Sequence, residues 1–227
     1  MAAWTYTLVP FAVAILGAVI AVNVRPGPTL VSAIQHFAAG VVFAAAAGEI
    51  MPDIAHSGSP VATMVGGFAG IGVMLAIRQL ERLIEGPAGM LTLVGVDILI
   101  DGLVLGIAFA AGAKAGLLLT IALSVEVLFL GLAVTAELTA TVKSRMRIVL
   151  IVAALLVLLP VGAFVATPVA GLPTVYITAF LSFGLVALLY LVTEELLAEA
   201  HETPDRPCVA AMFFVGFLLL LSLEEIM

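Results

Sequence analysis

Nearly unbroken apolar runs dominate the chain, at residues 5–22, 29–51, 61–80, 90–112, 116–141, 148–167, 174–197 and 208–226. Each approaches the roughly 20 residues a helix needs to cross the hydrocarbon core of a bilayer. The interruptions carry turn chemistry. They include Asn23-Val24-Arg25-Pro26-Gly27-Pro28, the stretch from Pro52 to Pro60, Glu85-Gly86-Pro87, the stretch from Pro168 to Pro173, and Thr203-Pro204-Asp205-Arg206-Pro207. The pattern predicts an all-α membrane protein, an eight-transmembrane-helix bundle that forms a single membrane-embedded domain over residues 1–227. The first run reads as a retained helix rather than a cleaved signal, because no Lys or Arg precedes it and no small-x-small cleavage site closes it.

Composition narrows the class. Hydrophobic residues make up 64% of the 227, and charged residues 10%. Soluble domains carry about 25% charged residues. A soluble enzyme, a nucleic-acid binder and a disordered chain are therefore excluded, and the lipid bilayer is the expected surrounding. The net charge of −7 excludes a polybasic surface. A single cysteine excludes a disulfide framework or a cysteine-based metal cluster. Six Arg against two Lys, with a sequence pI near 4.8, fit a prokaryotic source and a multi-pass protein of its inner or plasma membrane.

The positive charges orient the bundle. Arg25, Arg78, Arg82, Lys143, Arg145, Arg147 and Arg206 follow the odd-numbered runs, while Lys114 stands alone on the opposite side. The positive-inside rule then places both termini outside. Many of the 21 glycines fall at small-x-x-x-small spacing, as in Gly66/Gly70, Gly102/Gly106 and Gly112/Gly116, and are expected to let helices pack closely.

Carboxylates within spans are costly, about 3 kcal/mol for an Asp at a helix centre. Asp97 lies about seven residues into the fourth run and Glu126 about ten into the fifth. Asp97 and Asp101 are four apart and share one helix face. No Lys or Arg lies at comparable depth, so a bound metal ion or protons must neutralise these acids. The plainer reading is protonated carboxyls hydrogen-bonded between helices.

Further acids gather at helix ends. Glu49, Asp53 and His56 lie at the outer end of the second run, and Glu194, Glu195, Glu199 and His201 at the inner end of the seventh. Interfacial solubility would account for both groups. Glu137 follows Glu126 by eleven residues, three turns on, and returns to the same face. Together these acids outline a cation path. Oxygen-only ligands suit Mg²⁺, Mn²⁺ or Fe²⁺, whereas a softer site would show His or Cys. His36 reads as packing, and Cys208 has no cysteine partner.

Two stretches resemble the ZIP family of divalent-metal transporters. His36-Phe37-Ala38-Ala39-Gly40-Val41-Val42-Phe43-Ala44 through Glu49-Ile50-Met51-Pro52-Asp53 looks like that family's second helix, of the type FAAGVxLAxAxxHLLPE. Leu189-Tyr190-Leu191-Val192-Thr193-Glu194-Glu195-Leu196-Leu197-Ala198-Glu199-Ala200-His201 is similar to its seventh, LYVxxxELxPEAH. The central motifs depart. Where the fourth helix of the family reads HNxPEG, this chain has Asp97-Ile98-Leu99-Ile100-Asp101-Gly102. Where the fifth reads QDIPEG or HEIPEG, it has Glu126-Val127-Leu128-Phe129-Leu130-Gly131. Leu159 stands where an acid often precedes Pro-x-Gly in the sixth.

The resemblance implies a single metal position held by Asp97, Asp101 and Glu126, the second position having lost every ligand but Asp101. With Ile100 and Phe129 in place of the motif prolines, helices four and five are expected to run straighter. It further implies ZIP-like inward transport of a divalent cation such as Zn, Fe, Mn or Cd as substrate, and a homodimer as a plausible assembly. The alternative is a divergent relative that no longer transports, its buried acids protonated in a structural or sensing role. No enzymatic activity is expected: a His–Glu metal motif, a Ser/Lys pair and a Gly-flanked Asp pair on separate helices are all missing.

Overall fold

The computed structural model describes residues 3–24, 27–81, 87–204 and 207–227. Arg25, Arg82 and Arg206 lie outside the described residues. Those described are helical with no strand, and eight of the helices are long and apolar enough to cross a membrane. They are α1 (Ala3–Asn23), α2 (Pro28–His56), α3 (Pro60–Leu80), α4 (Gly89–Ala111), α5 (Ala113–Thr139), α6 (Arg145–Gly171), α7 (Thr174–Ala200) and α8 (Pro207–Ile226). Helices satisfy every backbone group internally, which lipid demands.

Prolines mark both starts and irregularities. Pro28, Pro60, Pro87 and Pro207 each open a helix, where the missing N–H costs nothing. Inside helices the same missing donor frees a carbonyl one turn earlier. Accordingly α1 turns at Thr7 ahead of Pro10, and α6 turns at Val157 ahead of Pro160. In α2 a π-helical segment, Ala46–Ile50, immediately precedes Pro52. A second π-helical segment, Leu191–Leu196, interrupts α7 without a proline. The helices carrying Asp97, Asp101 and Glu126 run unbroken from Pro87 to Ala111 and from Ala113 to Thr141.

α2 and α5 form the centre, with 61% of each span buried inside the protein, while α3 and α8 sit at the periphery with 22% and 17%. The outer helices turn large apolar side chains outward, such as Val65 and Phe68 on α3 and Phe214 and Leu218 on α8. That is the face lipid covers. The tightest pairings are α1 with α5, α2 with α8, α3 with α7 and α4 with α6.

Glycine makes these approaches possible. A Cβ at Gly102 on α4 would collide with the Leu159 backbone of α6, and one at Gly162 with the Leu99 backbone of α4. Gly66 and Gly70 similarly admit α7 against α3. The Gly112/Gly116 pair does not work this way. Gly112 is the extended link between α4 and α5 with open space around it, and Gly116 accommodates the Phe109 ring.

Two sets of helices emerge from the contacts. α1, α4, α5 and α6 pack on one another, as do α2, α3, α7 and α8. They meet along a seam where α2 crosses α5 and α7 crosses α4.

Candidate functional site

α4 places Asp97 and Asp101 one turn apart on the face turned to α5, and Glu126 reaches them from α5. One carboxylate oxygen from each of the three lies within 4.8 Å of the others. Asp101 is 2% exposed and Glu126 3%. Asp101 Oδ2 and both carboxylate oxygens of Glu126 are buried without a hydrogen-bond partner among the described residues. Ile98, Leu105 and Val127 are buried close by along the same two helices. Like charges about 4 Å apart repel by about 4 kcal/mol even at an effective dielectric near 20. Three ionised carboxylates therefore require positive charge among them.

Asp97 is less enclosed than its two partners. It lines a cavity of about 630 Å³ that runs toward the end of the bundle where Glu137 lies. Glu194, Glu195, Glu199 and Glu202 also line this cavity, with Arg78 as its basic side chain. Arg78 donates to the Glu194 carboxylate and to the Tyr190 hydroxyl at 3.5 Å. Glu199 accepts from Gln35 Nε2 at 2.7 Å. Glu195, half-buried on α7, lines the same cavity as Asp97.

The opposite end of the bundle is built differently. Glu49, on the π-helical segment of α2, pairs with Lys114 at the start of α5 at 3.4 Å. The Glu224 carboxylate of α8 lies over Gly48, and Glu224 and Asp53 both act electrostatically on Glu49. Asp53 and His56 are themselves exposed. Both π-helical segments carry path acids, Glu49 on one and Glu194 and Glu195 on the other. Such segments recur at functional sites.

His201 is exposed and stands apart from the cavity lining. Its ring meets that of His36 edge-on at 5.2 Å, so His36 is buried packing with a histidine neighbour rather than alone. His36 Nδ1 donates to Ser32 O at 2.9 Å.

The sequence reading thus brought together the central three acids and the acids of one end. It missed Arg78, Tyr190, Gln35 and Glu202 on or beside the cavity, and Glu224 at the other end. Arg78, Tyr190 and Glu202 are common types near helix ends and Glu224 belonged to an acidic terminus, so no sequence signal separated them, whereas Gln35 is a polar side chain within an apolar run and buried.

No protein-family model matches the chain, and comparison with curated proteins gives no match. The likeness to ZIP transporters therefore rests on the motifs quoted above.

Proposed function

We propose that the protein carries a divalent cation across the membrane through one central carboxylate site, in the manner of ZIP transporters. The observation that carries this reading is the convergence of Asp97, Asp101 and Glu126 within 4.8 Å, with oxygens of Asp101 and Glu126 buried and without a hydrogen-bond partner among the described residues. Oxygens that ligate one ion at about 2.1–2.4 Å lie at most about 4.2–4.8 Å apart. A divalent cation fits that spacing and neutralises two of the three charges.

Other features support the reading. Glu195 and Glu137 continue the acidic lining from Asp97 into the cavity. Arg78, Lys143, Arg145 and Arg147 gather at the cavity end, which the positive-inside rule assigns to the cytoplasm. Arg145 reaches Asn23 at 3.1 Å, which keeps the ends of α1 and α6 on that same side. Both termini are then outside, and transport runs inward into the cavity. The oxygen-only donor set favours Mg²⁺, Mn²⁺ or Fe²⁺ relative to a site with nitrogen or sulfur, with Zn²⁺ and Cd²⁺ as the softer contenders. Helices moving across the α2–α5 and α4–α7 seam would supply alternating access.

Uptake into proteoliposomes, measured for Mg, Mn, Fe, Co, Zn and Cd beside the Asp97→Asn variant, tests this. Saturable uptake lost in the variant is the expected result. Uptake unchanged in the variant would sink the site assignment. No uptake by either protein would leave the non-transporting alternative standing.

A further inference from the structure

The two halves of the path are unlike. From Asp97 toward Glu137 the protein is hollow. From Glu126 toward Lys114 the face of α5 carries buried leucines instead. Leu123 and Leu119 precede Glu126 by three and seven residues on the same face of α5, and they are 0% and 1% exposed. Lys114 lies twelve residues before Glu126, about 18 Å along the helix.

At the head of this closed half, Lys114 Nζ meets Glu49 Oε1 at 3.4 Å, the lysine side chain 47% exposed and the glutamate 13%. The pair joins α5 to α2 and so spans the seam between the two sets of helices. The other ion pair found among the described residues, Arg78 with Glu194, joins α3 to α7 within one set. The Glu224 carboxylate of α8 lies beside Gly48, the residue before Glu49. Exposed ion pairs on their own contribute little. Here, removing the ammonium leaves a mostly buried carboxylate without its cation.

We propose that Lys114 is a tethered cation that gates the pathway: its ammonium occupies the entry carboxylate Glu49 and holds α5 against α2 at that end. The inference rests on the transport reading for its meaning, since a gate presupposes a path. An arriving divalent cation competes with the ammonium for Glu49, and separation of the pair opens the end above Leu119. Loss of either partner therefore opens this end, because the pair is what joins α5 to α2 there.

The test reads accessibility rather than transport. The native cysteine is removed by Cys208→Ser, a single thiol is introduced by Leu119→Cys, and the chain is reconstituted in lipid nanodiscs. The rate of labelling by a charged, membrane-impermeant maleimide is then followed. Slow labelling is expected with Lys114 present, and labelling at least tenfold faster in Lys114→Met and in Glu49→Gln. The swapped pair, Lys114→Glu with Glu49→Lys, is expected to return it to the slow rate. Two partners are varied independently so that misfolding of one variant, visible as aggregation on size exclusion, leaves the other to decide. Labelling at the parent rate in a folded single variant overturns the gate, as does a swapped pair that labels as fast as Lys114→Met. A chain that takes up no metal yet shows the expected labelling pattern would refute transport and leave the Lys114–Glu49 pair as a latch between α5 and α2.

Discussion

Asp97 is the one member of the central triad that faces the cavity, while Asp101 and Glu126 are enclosed. Each must be ionised to hold a metal, so binding releases protons and weakens as pH falls. Lowering the pH from about 7.5 to about 5.5 is expected to raise the apparent Kd by about tenfold per unit for each proton displaced, read by equilibrium titration. The same titration on Glu126→Gln should show little dependence on pH because little binding remains. The triad was legible in the sequence for a physical reason: carboxylates inside apolar runs are expensive, and four-residue spacing puts two of them on one face. The sharing of one cavity by Asp97 and Glu195, and the pairing of Glu49 with Lys114, were not. Those neighbours lie on different helices, and only packing decides which meet.

At the scale of the helices, the apolar runs gave all eight spans, with ends displaced by up to five residues where polar residues such as Asp53 and His56 continue a helix past its apolar stretch. The fourth and fifth helices are unbroken through Ile100 and Phe129, where no proline stands. The π-helical segment in α7 had no sequence signal, because no proline accompanies it. Glycine spacing identified close packing correctly at Gly102 but not at Gly112, since spacing alone does not separate a helix face from a link. That difference is measurable. Gly102→Val forces a side chain against backbone, and overpacking costs about 1–3 kcal/mol. It should lower the melting temperature in detergent and disturb the adjacent Asp101. Gly112→Ala, in extended backbone with open space, should change stability by less than about 0.5 kcal/mol. Equal losses in the two variants would contradict the packing described for α4 and α6.

For the molecule as a whole, the cavity lined by Glu137 opens toward the side that carries most of the positive charge, while the Lys114–Glu49 pair marks the other end. Sidedness can be read from the native thiol. Cys208 is exposed at the start of α8, on the side assigned to the cytoplasm. An impermeant maleimide should label it in inside-out vesicles and spare it in right-side-out ones. The reverse pattern would invert the orientation and turn the proposed transport outward.

Asp97, Asp101 and Glu126 are proposed to hold one divalent cation together. Equilibrium dialysis of the purified protein against Mn²⁺, with metal counted per chain, addresses this proposal most directly. One saturable ion per chain is expected, lost in both Asp101→Asn and Glu126→Gln while the folded fraction is unchanged. Failure to bind any ion, or binding that survives both substitutions, would contradict the account.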